Sequence, residues 1–297
     1  GDVVTFPNAG SIDLTKQWVI QNAITLKGNK TSIQATGVDW PKNGDKIVNS
    51  TANLISVEGS KDGTVTLEGL NILNSKAAGI NAQSKMKTVL KDVTLKNNAT
   101  AGLIVHSAVE ATGLHTEGNT WGGVNVDKGT PDHPLSFTFD ATSTFAESSK
   151  IWAEKDNVQP SAVTVPSADW TYFEGLGGGE GKTPMYYWTN SKLIQEGNTV
   201  FANGNPVTIK KADVEGEVIV CVTDDASDFI QLKSEGATVY GGAKNKTVQS
   251  STITMESGTI KRIYGGGYGS TAQQTANVNG TATIQIKGGT ITNLLCG

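Results

Sequence analysis

Arginine is almost missing from this chain, Arg262 being the single one in 297 residues. The forked guanidinium is the group that reads guanine edges and clamps phosphates, so nucleic acid is not an expected partner. Long apolar runs are missing as well. Nothing approaches the roughly 18 consecutive apolar residues that a membrane helix requires, and no signal-peptide core is present. Cysteine is confined to Cys221 and Cys296, in separate repeats, which matches neither a disulfide framework nor a metal knuckle. Both are expected to be small buried residues. Hydrophobic residues reach only 37%. What is plentiful is Gly, with 35 residues, together with recurrent Thr and Asn, a mixture that favours turns and strands over helices.

Internal repetition organises the first half. GLNILN (69 to 74), DVTLKN (92 to 97) and GLHTEG (113 to 118) bring Leu70/Ile72, Val93/Leu95 and Leu114/Thr116 into register at offsets of 23 and 21 residues. GINAQ (79 to 83), GLIVH (102 to 106) and GVNVD (123 to 127) return the same offsets, and ISVEG (55 to 59) looks like an earlier turn. Two short period-2 strands therefore recur together, so that each strand is expected to pair with its equivalent one turn on, about 4.8 Å away. The expected inward stacks are Ile80, Leu103, Val124 and Ala82, Val105, Val126. Asn74, Asn97 and Gly118 sit where left-handed backbone and amide bonding along the stack are expected.

A second array follows. Residues 251 to 266 match residues 282 to 297 at an offset of 31, with identity at Thr252/Thr283, Ile253/Ile284 and Ile260/Ile291 among others, and ATVYGG (237 to 242) is an earlier copy. Residues 141 to 190 break the rhythm and carry Trp152, Trp170 and Trp188 with Pro160, Pro166 and Pro184, as a cap or connector would. The expected organisation is a β-helix over 1–140, an irregular cap over 141–190, and a second β-repeat segment over 191–297. The last copy stops partway through its pattern, and the chain opens on Gly1 rather than Met. The expectation is a processed piece of a longer exported repeat protein, monomeric and extracellular or at the cell surface.

The coils, with Asn at their turns and ITLKGN (24 to 29) near the start, resemble the pectin-lyase-like superfamily of right-handed parallel β-helices. GTIKRIYGGGYG (258 to 269) is similar to the Gly-Gly-Tyr repeats of large bacterial surface proteins, especially those of gut anaerobes. The resemblance implies an all-β solenoid, pectin-lyase-like, continued by a second β-helical segment. It implies either a polysaccharide lyase or hydrolase, or an adhesin without chemistry, because the fold alone does not choose.

The acidic cluster and cationic base of the lyases, and the aspartate, Gly-His-Gly and Arg-x-Lys sets of the polygalacturonases, do not occur in the coils. No catalytic set, metal or cofactor is assigned. Asp224, Asp225 and Asp228 are read as a solvated turn. GLGGGEGKT (175 to 183) is rejected as a phosphate loop because Leu176 stands where the first glycine is required. Strand alternation instead places Gln83, His106 and Asp127 in one outward column. A neighbouring column holds Asn71, Thr94 and His115, flanked by Leu73, Lys96 and Glu117. Solvated faces are the plain reading, and a polysaccharide or host-glycan site is the functional one. Trp121 is expected to be a buried end-of-coil aromatic, with a flat face for a sugar ring as the alternative.

Overall fold

The computed structural model describes residues 1–35, 40, 42–43, 46–47, 52–129, 134–145, 151–167, 170–176, 184–269 and 275–296. It divides into two compact units, Gly1–Asn190 and Ser191–Gly297. Among the described residues the protein is all-β with mainly parallel pairing, and its one helical element is a 3-10 turn at Pro160–Ala162.

In the first unit an eight-stranded sheet carries Trp18–Ile20, Ile55–Val57, Ile80–Ala82, Leu103–Val105, Val124–Val126 and Ile151–Glu154 as successive parallel neighbours. The pairs Ile80↔Leu103↔Val124 and Ala82↔Val105↔Val126 fall where the 23- and 21-residue offsets place them. All six residues are fully buried. The strands Ile80–Ala82, Leu103–Val105 and Val124–Val126 have three residues each, with the first and third buried in the core. Glycine precedes the strands that start at Ile80, Leu103 and Val124, where a Cβ on Gly102 would lie 2.6 Å from the carbonyl oxygen of Gly123.

The eleven-stranded sheet is built from longer segments: Thr64–Leu73, then Lys87–Lys91 with Thr94–Lys96, then Ala108–Thr112 with His115–Glu117. Simple alternation would send Leu70 outward if Leu67 points inward, yet both are buried. The phase is switched by left-handed residues at equivalent places, Gly69 (φ 62°), Asp92 (φ 51°) and Gly113 (φ 63°). Left-handed backbone recurs at Asn74 (55°), Asn97 (54°) and Gly118 (67°), as the turn composition leads one to expect. The amide ladder, however, stands one residue further on. Asn119 Oδ1 accepts from Asn98 N–H (3.1 Å) and Asn98 Nδ2 (2.8 Å), and Asn98 Oδ1 accepts from Ser75 N–H (3.0 Å). Asn98 and Asn119 are buried, because the residue after a left-handed turn points back toward the interior, where only bonded amides are tolerated.

Stacking continues past residue 140. Thr144 and Phe145 pair with His115 and Thr116, and Ile151 pairs with Val124. Pairing then turns antiparallel through Pro184–Thr189 and Thr171–Leu176. Trp170 packs edge-on to Phe139 and Phe145 at 4.8 and 5.6 Å, and Trp170 and Trp188 are buried in the same core.

The second unit holds two five-stranded sheets. Ser251–Met255 pairs in parallel with Ala282–Ile286, and Thr252 faces Thr283 as the 31-residue offset requires. In the other sheet the offset holds only as far as Ile260↔Ile291, after which a bulge pairs Arg262 with Leu294 and Tyr264 with Cys296. That slip explains why the two cysteines differ. Cys221 is buried, whereas Cys296 is brought alongside the outward Tyr264 and is exposed, against the expectation that both are buried.

Candidate functional site

The outward face of the eight-stranded sheet is laid out by strand alternation. With Ile80, Ala82, Leu103, Val105, Val124 and Val126 inside, the residues between and just after them point out. The strand-end column is Glu58, Gln83, His106 and Asp127, each N–H donating to the carbonyl of the preceding rung, as His106 N–H does to Ala82 (2.9 Å) and Asp127 N–H to Val105 (3.0 Å). Gln83 is exposed, while His106 and Asp127 are half-buried. His106 Nδ1 lies 3.1 Å from the Lys128 carbonyl, which only accepts, so this nitrogen is assigned the proton. Its Nε2 then faces Asp127 Oδ2 at 4.0 Å, and Asp127 Oδ1 accepts the Lys128 N–H at 2.6 Å.

The second expected group stands on the eleven-stranded sheet. Thr94 pairs with Asn71 and His115, and Lys96 pairs with Leu73 and Glu117. Lys96 Nζ donates to Glu117 Oε2 at 2.8 Å, His115 Nε2 lies 3.7 Å from the same oxygen, and His115 Nδ1 is 2.6 Å from Thr144 Oγ1. The Lys96 ammonium, by hydrogen bond and by charge, holds the Glu117 carboxyl below its ordinary range. The six candidates thus fall on two different sheets and the turn between them: Gln83, His106 and Asp127 on one, Lys96 and His115 on the other, Trp121 on the turn.

Trp121 is 50% exposed rather than buried. Its backbone N–H donates to the Thr100 carbonyl (3.1 Å). The equivalent positions of the preceding repeats, Ala77 and Thr100, are buried, so the outward indole departs from their pattern.

A further column on the eight-stranded sheet escaped the reading of the sequence. Ser56, Asn81, Ile104, Asn125 and Trp152 pair across five consecutive strands at the second position of each. They lie beside the strand-end column, and Ser56 Oγ donates to Glu58 Oε1 at 2.6 Å. The signal was present in INA, LIV and VNV, whose middle residue must face opposite to its neighbours.

In the second unit Asp228 accepts from Ser191 Oγ (2.9 Å) and Lys192 N–H (2.8 Å). Asp225 is held below its ordinary range by the Ser227 hydroxyl, with Lys192 Nζ 3.6 Å away. Among the described residues no group of three or more His, Cys, Asp or Glu is arranged to hold a metal ion. No described helix is long and apolar enough to cross a membrane. Residues 177–183 of the rejected glycine-rich run lie outside the described residues. No family model, curated protein or solved structure matches this chain.

Proposed function

We propose that this chain is a right-handed parallel β-helix of the pectin-lyase-like kind, continued by a second β-helical segment. It acts as a non-catalytic, exported surface module in adhesion, glycan binding or spacing. The observation that carries this reading is the pairing of outward charges from rung to rung. Lys87 meets Glu110 at 2.5 Å and Lys96 meets Glu117 at 2.8 Å. Such cross-strand pairs neutralise a stacked surface and align its repeats. Strands that pair in parallel with their equivalents in the following repeat support the solenoid, because a stack of coils produces that register.

The rival reading is a polysaccharide lyase or hydrolase working through His106, His115, Lys96 and Asp127. Glu117 argues against an acid of that kind beside His115. A general acid needs a carboxyl raised toward neutrality, and Lys96 holds this one ionised. Incubation with a polysaccharide panel discriminates the two readings. Release of reducing or unsaturated sugar would establish the enzyme, while retention of glycan without turnover supports the binding module.

A further inference from the structure

The single arginine of the chain stands without a partner. In the second unit Lys192, Lys210, Lys244 and Lys287 each face a carboxylate. Among the described residues Arg262 and its neighbour Lys261 face none. Both are half-buried, yet none of their side-chain nitrogens is shut off from solvent, so unbonded donors point out of the protein. A bulge sets the two side by side. The N–H groups of Lys261 and Arg262 both donate to the Ala237 carbonyl, at 3.0 and 3.1 Å, so two residues oppose one. The flanking Ile260 and Ile263 are fully buried. Two successive cations are thus kept outside the core where alternation has room for one outward residue. Like charges held together repel, and with no carboxylate facing them an anion from outside is the fitting counter-ion.

Beside these cations a stack of rings comes to an open end. Phe201, Tyr240 and Tyr264 pair across three adjacent strands. Their ring centroids are 5.1 and then 4.5 Å apart, with planes 18° and 9° from parallel. The next rung puts Cys296 in register with Tyr264, exposed and too short to cover a ring. Tyr264 therefore stacks on Tyr240 on one side and, among the described residues, on no ring on the other. Arg262 is two residues before Tyr264 on the same strand, hence on the same face, and its charge acts on the Tyr240 hydroxyl. A flat-faced ring suits the vacant place, and the cations choose its substituent. The two oxygens of a carboxylate are filled by the guanidinium fork alone, whereas the three of a sulfate ester serve both the fork and the Lys261 ammonium. We propose that the end of this stack seats a sulfated sugar, its ring face on Tyr264 above Cys296 and its sulfate held by Arg262 and Lys261. The inference rests on the glycan-binding reading above and goes further by naming the seat and the charged group. A formal net charge of −4 gives a polyanion no general attraction to this chain, so its binding has to be local.

Calorimetric titration of the whole chain with κ-carrageenan and heparin hexasaccharides, each also in desulfated form, and with hexagalacturonate tests it. At least one sulfated hexasaccharide is expected to bind, and its desulfated form and hexagalacturonate at least tenfold more weakly. Arg262→Gln, Lys261→Gln and Tyr264→Leu should each weaken that binding tenfold or more. Arg262→Gln should leave the melting temperature unchanged, since the guanidinium bonds to nothing in the fold, whereas an arginine with a structural role would lower it. Cys296→Tyr should fill the vacant place and abolish binding without lowering the melting temperature. Binding that survives Arg262→Gln and Cys296→Tyr but is lost with His115→Ala or Trp121→Ala would overturn the seat and leave the glycan reading standing. Equal binding of a sulfated sugar and its desulfated form, or tightest binding of hexagalacturonate, would overturn the sulfate. No binding of any of the five would overturn both readings.

Discussion

Leu103 and Ile104 are neighbours on one three-residue strand, and replacing each by alanine tests the register of the stack. Leu103 is fully buried between Ile80 and Val124, while Ile104 is half-buried on the opposite face. Leu103→Ala removes three carbon groups from the interior, worth ~0.8 kcal/mol each by transfer. The cavity left in the close-packed interior raises the loss to about 3–5 kcal/mol. Ile104→Ala should lose less than about 1.5 kcal/mol, because its side chain keeps part of its contact with water in the folded state. Leu103→Asp should be worse than either, placing an unpaired charge in the core. Urea unfolding followed by tryptophan fluorescence is the assay, and all six tryptophans, from Trp18 to Trp188, lie in the first unit, so the signal reports that unit alone. Equal losses, or a larger loss at Ile104, would mean that the strand is slipped by one residue and every face assignment is inverted.

Asn119→Ala should destabilise by about 2–4 kcal/mol in the same assay, because it strands the Asn98 N–H, the Asn98 amide and the Leu95 carbonyl that it now satisfies. Burial pushes the Asp140 carboxyl up, but hydrogen bonds from Thr142 Oγ1, Gly113 N–H and Ser143 Oγ outweigh it and hold the group below its ordinary 3.8. Its contribution is therefore complete above that ordinary value and disappears as pH falls through the lower folded one, so Asp140→Asn should flatten the acid limb of a melting-temperature profile. A steeper limb in the variant would contradict this. In the native protein one thiol, Cys296, should react promptly with a disulfide reagent and two after denaturation; prompt reaction of both would contradict the burial of Cys221.

Much of the first unit was legible in the order of residues, for a local reason. A parallel rung repeats one apolar pair at a near-constant interval, so Ile80, Leu103 and Val124 announce their own stacking, as do Thr252 and Thr283 in the second unit. Left-handed turns were legible at Asn74 and Asn97 because asparagine tolerates that backbone. Three features were not legible, and each depends on geometry that composition does not carry. The bulge after Ile260 inserts one residue without a marker in the sequence and turns Cys296 outward. Trp121 is outside although Ala77 and Thr100, at the equivalent places of the preceding repeats, are buried. The amide ladder runs through Asn98 and Asn119 rather than through the turn residues themselves.

The sequence by itself determined the strands, their period and which side of each faces the core, since alternation and repeat length are properties of a chain of residues. Only the tertiary structure decided which outward residues share a surface. The polar residues at 96 and 115 stand on one sheet and those at 83, 106 and 127 on another. Asn81 and Asn125 are kept from bonding each other by Ile104, which the pairing places between them. Periodicity tells a side chain which way to point, but its neighbours are set by how the strands are stacked, and hydrogen bonds are made or missed between neighbours.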